Sequence, residues 1–282
     1  LEQSRDYITA LLRQLMTQIA PDGQECLDGT RFLDWPSNSN KDAIAAGLQA
    51  LMVWGMRVGV EFAELFEDRQ LSNDCKAAEK KLVKAASKVY KKFLASCPAP
   101  DAPGSKQVAA LMTITGLIDA PKADKEFLSI NGAQGFSTFY GYYMLEAMAT
   151  AGNYQGALDV IREYWGAMID LGATSFWEDF DINWIPNAAP IDKLVPEGKK
   201  DIHGDCGAYC YVGFRHSLCH GWASGPTSWL SRHILGVEVI EPGCRQVRIT
   251  PHLGDLQWVK GTFPTPYGEI QIYHEKHRDE IV

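Results

Sequence analysis

The chain has 282 residues, 46% of them apolar and 22% charged, with a formal net charge of −8 at neutral pH. Such a composition is ordinary for a globular protein and can build one large core or two smaller domains. It excludes a nucleic-acid partner, which would need a dominant basic footprint, and no uninterrupted apolar run suggests a membrane partner.

In chain order, Ile8, Leu11, Leu12, Leu15, Met16 and Ile19 recur at intervals of three and four, which predicts an amphipathic helix over 4–19. Pro21-Asp22-Gly23 ends it. A loop rich in Pro, Ser and Asn follows, carrying Phe32-Leu33-Asp34-Trp35-Pro36. Residues 42–66 read as a long helix apolar on more than one face, so it should be buried on most sides. The next helix, capped by Asn73 or Asp74 and running to Ser96, has Leu82, Ala86, Val89, Tyr90, Phe93 and Leu94 on one side. Seven lysines crowd its other side, as on a solvated outer helix. Shorter helices are expected over 105–119, 139–151, 154–171 and 227–235.

The segment 172–204 is a long loop rich in Pro, Asn and Asp, a length that is uncommon unless the loop is functional. It holds the acidic and aromatic patch Phe176-Trp177-Glu178-Asp179-Phe180-Asp181. From Val237 the period changes to alternation. Residues 237–240, 246–249 and 269–273 read as strands, with turns at Pro242-Gly243 and Pro266-Tyr267-Gly268. The expected fold is therefore mainly α with a small antiparallel β appendage, divided into residues 1–235 and 236–282.

Seven cysteines, an odd number scattered over a large chain, read as free thiols. Asp205, Cys206, Cys210, His216, Cys219 and His220 are residue types that metal sites use, but the paired CxxC spacing is missing and no metal is expected. The chain opens on Leu1 rather than Met and stops just after a strand, so it reads as a piece of a longer polypeptide whose N-terminal part is missing.

Three stretches resemble glycoside hydrolase family 78, the α-L-rhamnosidases. The first, Gly172-Ala173-Thr174-Ser175-Phe176-Trp177-Glu178-Asp179-Phe180-Asp181, is similar to a Gly-Ala-Thr-Thr-x-Trp-Glu-x-Trp-Asp block of that family. The second, Ser217-Leu218-Cys219-His220-Gly221-Trp222, resembles its Cys-His-Gly-Trp block. The third runs from Leu235-Gly236-Val237 through Pro251-His252-Leu253-Gly254-Asp255 to Gly268 and resembles the junction of barrel and C-terminal β domain. Phe32-Leu33-Asp34-Trp35 is a looser match to a Gly-Asp-Trp loop.

The resemblance implies part of an (α/α)₆ barrel and cofactor-free, inverting hydrolysis of terminal α-L-rhamnosides. That chemistry needs two carboxyl groups about 6.5–9.5 Å apart, an acid and a water-activating base. It implies Glu178 as the base, with Asp34, Trp35, Trp177, Asp181, His220 and Trp222 lining a carbohydrate site. The family's acidic block Asp-x-Pro-x-Arg-x-Glu-Arg has no counterpart here, so the general acid is expected to lie outside the chain and the chain alone to be inactive or weakly active. Polysaccharide-degrading relatives are often exported, which favours a periplasmic or extracellular setting. A non-catalytic carbohydrate-binding or scaffold module is the alternative, and a metal-dependent protein the third.

Overall fold

The computed structural model describes residues 2–97, 99–202, 216–277 and 280–281. It is mainly helical, with small antiparallel sheets toward the C-terminus. By its internal contacts the chain divides into two compact units, Leu1–Ile130 and Asn131–Val282.

In the first unit α1 (Arg5–Thr17), α2 (Lys41–Leu65) and α3 (Arg69–Ser96) share one core. Leu12 of α1, Met52, Val53, Met56 and Ala63 of α2, and Leu71, Cys75, Ala78 and Leu82 of α3 are buried there. The three helices approach closely at Gly59, where an added Cβ would stand 2.8 Å from Leu12 and 2.9 Å from Cys75. By length and composition α2 could cross a membrane, but more than half of its most apolar window is buried inside the protein. Its hydrophobicity is that of a core helix wrapped by neighbours. Gln49 on α2 is fully buried and satisfied: it accepts from Glu25 N–H and donates to the carbonyls of Gly23 and Leu82.

The start of α3 corrects the sequence reading. The cap is Asp68, not Asn73 or Asp74: its side chain accepts from Leu71 N–H at 2.9 Å. Glu67 adopts φ 56° and turns the chain within two residues of the end of α2, so α3 begins a turn earlier and Asn73 and Asp74 lie inside it. The seven lysines, from Lys76 to Lys92, are all exposed, as expected of an outer face. Next come α4 (Ser105–Ile114), stopped at Gly116 with φ 62°, and a short α5 (Ala120–Ala123) that runs into a π-helical turn.

In the second unit α6 (Gly141–Thr150) and α7 (Tyr154–Asp170) are joined by Gly152-Asn153, whose Asn side chain caps α7 by accepting from Gly156 N–H. At Gly141 a Cβ would stand 2.7 Å from the Trp165 ring, so only glycine lets the edge of that indole approach α6 so closely. The long loop contains a two-residue parallel pair, β1 (Ala188–Ala189) and β2 (Lys200–Asp201). α8 (Gly225–Trp229) follows and widens into a π turn over Leu230–Ile234.

Beyond it, β3 (Val237–Val239) pairs with β4 (Val247–Ile249), and β5 (Trp258–Thr265), β6 (Gly268–His277) and β7 (Glu280–Ile281) form a second antiparallel sheet. β5 escapes a reading by apolar alternation because Lys260, Gly261 and Pro264 interrupt it; its register is set by the hairpin that brings Thr265 opposite Gly268. Leu235, Val237 and Ile272 are buried together, with Val259, Phe263 and Ile270 against them.

Candidate active site

Three buried aromatic side chains of α7 and α8 fasten two loop segments and α6 of the second unit by their polar tips. Tyr164 donates its hydroxyl to the Phe180 carbonyl. Trp165 Nε1 donates to Ala223 O at 3.0 Å, and Trp229 Nε1 to Leu145 O at 3.0 Å. Buried Tyr and Trp need such partners, and here the partners are the main chain of the segments 176–181 and 221–223 and of α6.

Between these anchors the segments 175–179 and 216–220 are laced together. Glu178 N–H donates to Ser217 O at 2.9 Å, and His220 N–H to Phe176 O at 2.7 Å. The Ser175 hydroxyl donates to the Leu218 carbonyl. The Glu178 carbonyl accepts twice, from Thr138 Oγ1 at 2.6 Å and from Trp222 Nε1 at 2.8 Å. The main chain of Glu178 is thus held on both sides.

Its side chain is held on one side only. Oε2 accepts from Ser217 N–H at 3.0 Å and lies 3.9 Å from His220 Nδ1. Oε1 has no hydrogen-bond partner among the described residues. The Glu178 and His220 side chains are 18% and 31% exposed, so the carboxylate and the imidazole are reachable by a small molecule. Trp222 is 40% exposed, with its ring 4.3 Å from the His220 ring and 5.8 Å from the Phe139 ring. A half-open carboxylate, a donor–acceptor imidazole and an exposed indole face together suit a polar, hydroxylated ligand with a flat C–H face.

The other expected site residues fall differently. Trp177 is corrected from a site wall to a core residue: it is fully buried, edge-on to Phe180 and His216, and offers no face to a ligand. Its Nε1 has no partner among the described residues. Asp181 caps a short 3₁₀ turn, Oδ1 accepting from Asn183 N–H at 2.9 Å and Nδ2 at 2.8 Å. Asp34 and Trp35 belong to the first unit. Asp34 is 4% exposed, Oδ1 accepting from Trp35 N–H and Oδ2 from Gln107 Nε2, while Trp35 is half-buried edge-on to Phe32.

Of the cysteine-rich cluster, Asp205, Cys206 and Cys210 lie outside the described residues. Cys219 is an exposed free thiol, and both ring nitrogens of His216 bond to main chain. Thr138 and Phe139 were not foreseen, since nothing local in their sequence marks residues that meet Glu178 and Trp222 only through the tertiary fold.

The C-terminal strands carry a sequence signature. Residues 236–282 match the family described as Bacterial alpha-L-rhamnosidase C-terminal domain. The fold of the chain as a whole is similar to solved rhamnosidase structures. The GH78 family rhamnosidase of Bacillus sp. GL1 matches 97% of this chain at 20% identity with a TM-score of 0.66. The alpha-L-rhamnosidase from Dictyoglumus thermophilum matches 99% at 19% identity with a TM-score of 0.71. The rhamnosidase from Klebsiella oxytoca, solved with rhamnose bound, matches 81% at 21% identity with a TM-score of 0.54. The chain spans 28%, 30% and 42% of those three structures, respectively. No curated protein sequence matches the chain.

Proposed function

We propose that this chain carries the general-base side of an inverting, α-L-rhamnosidase-like glycoside hydrolase, with Glu178 activating the attacking water and His220 and Trp222 binding the sugar. The helices up to Leu235 would belong to an α/α barrel, and residues 236–282 to the β domain that follows it. One observation carries the reading: Glu178 Oε2 is pinned by Ser217 N–H and lies near His220 Nδ1, while Oε1 has no hydrogen-bond partner among the described residues. A base must present a fixed, ionised oxygen to a water in line with the reacting carbon, and a carboxylate held through one oxygen does that. The match of residues 236–282 and the shared fold support rhamnoside as the substrate class.

The general acid would come from sequence outside this chain, and an activated substrate removes the need for it. A dinitrophenyl leaving group departs as a stable phenolate without a proton. The chain should therefore hydrolyse 2,4-dinitrophenyl α-L-rhamnoside, releasing β-L-rhamnose first, as inversion requires. Glu178→Gln should lower that rate by about 10²–10⁴-fold while L-rhamnose still binds. Turnover that survives Glu178→Gln would defeat the assignment. Rhamnose binding with no turnover, even in a longer polypeptide containing this chain, would favour a carbohydrate-binding module instead.

A further inference from the structure

We infer that His216 is a positioning residue, a neutral imidazole locked in one tautomer that sets the aim of Glu178 by holding the main chain next to it. The inference rests on the reading of Glu178 as the base.

His216 is 4% exposed and lies edge-on to Trp177 and Trp184, whose ring centroids are 6.4 and 6.2 Å from its own. Asp179 N–H donates to its Nε2 at 3.0 Å. A backbone N–H can only donate, so Nε2 must carry a lone pair. The ring hydrogen is then on Nδ1, which lies 3.0 Å from the Ile202 carbonyl and donates to it. The other neutral tautomer, or the imidazolium, would aim N–H against N–H at Asp179.

The consequence for the site follows from chain adjacency. Asp179 is the residue after Glu178, and Ser217 is the residue after His216. Through its ring His216 grips the peptide on one side of Glu178. Through the next residue's N–H it fixes Glu178 Oε2 at 3.0 Å, and the Ser217 carbonyl accepts from Glu178 N–H. Ring, peptide and carboxylate form one closed circuit, so a tilt of the ring moves the carboxylate. His216 makes no contact with a substrate in this account; it acts through Glu178.

Two substitutions separate positioning from bulk. His216→Gln places an amide oxygen where Nε2 stood and keeps the acceptor. His216→Leu fills similar space and accepts nothing. On the activated rhamnoside, His216→Leu should lower kcat by about 100-fold with KM changed by less than about threefold, and His216→Gln should recover to within about tenfold of the parent. Histidine ¹⁵N spectra of the unsubstituted chain at neutral pH should show the Nδ1–H neutral form. Amide exchange at Asp179 and Ser217 should accelerate in His216→Leu and not in His216→Gln.

An Nε2–H tautomer or an imidazolium overturns the inference, even if His216→Leu fails to fold. Equal losses in both variants, or unchanged exchange at Asp179 and Ser217, overturn it as well. If neither the unsubstituted chain nor a longer polypeptide containing it shows turnover, the hydrolase reading fails, while the spectra and the exchange still decide the role of His216.

Discussion

Two loops of this chain set an acid beside a tryptophan, and the two pairs are turned opposite ways. In Asp34-Trp35 the acid is buried with both oxygens bonded, and the indole is half-exposed. In Trp177-Glu178 the indole is fully buried, and the acid is bonded through one oxygen with the other open. A carboxylate whose lone pairs are filled by a cap and a glutamine is spent on structure. One that is half filled and reachable remains available for chemistry. The difference comes from what packs against each loop, Gln107 in one case and Ser217 with His216 in the other.

The comparison can be broken first at the buried indole. Trp177→Ala should destabilise the chain by about 3–5 kcal/mol, because it empties a fully buried aromatic site between Phe180 and His216. Denaturant unfolding measures this. A loss within experimental error would return Trp177 to the sugar site and remove the asymmetry. Asp34→Ala should cost less, about 1–3 kcal/mol, by orphaning the buried Gln107 amide and the Trp35 N–H it caps. The same unfolding measurement applies, and a neutral result would show that the Asp34 hydrogen bonds add nothing to the fold.

The smallest effect is a pH dependence in a part of the second unit used by neither pair. His252 stacks on Tyr154 with ring centroids 3.7 Å apart and planes 5° from parallel. Burial, and then the neighbouring His233, hold its imidazole below the usual histidine range. As pH falls the unfolded chain takes up this proton first. The stability contributed by neutral His252 is therefore complete above about pH 6.5 and drains away between that value and its lower folded one. His252→Phe keeps the stacked ring and should flatten that part of the stability profile. An unchanged profile would assign the dependence to another group.

Much of the fold is legible in the sequence because it is written in local periodicity. α1, α2, α4, α6 and α7 follow from apolar spacing. The start of α3 was misplaced because Asp68, Asn73 and Asp74 are all competent caps, and only the turn at Glu67 decides among them. β5 was missed because a hairpin partner, rather than alternation, fixes it.

The site is legible in part. The blocks around Glu178 and His220 could be picked out by resemblance, and the structure brings them together. It could not be read from residues 176–181 that Trp177 turns inward and Glu178 outward. That choice is made by Ser217 and His216, nearly 40 residues later, and by Thr138, 40 residues earlier.

The most direct measurement is a titration of the isotope-labelled chain with L-rhamnose, followed by NMR at the indole and imidazole signals. The account predicts that Trp222 Nε1–H and the His220 ring shift together and saturably while the Trp177 indole stays still, and that D-glucose has little effect. Movement of Trp177 without Trp222, or no saturable shift at either, would contradict a sugar site built on Glu178, His220 and Trp222.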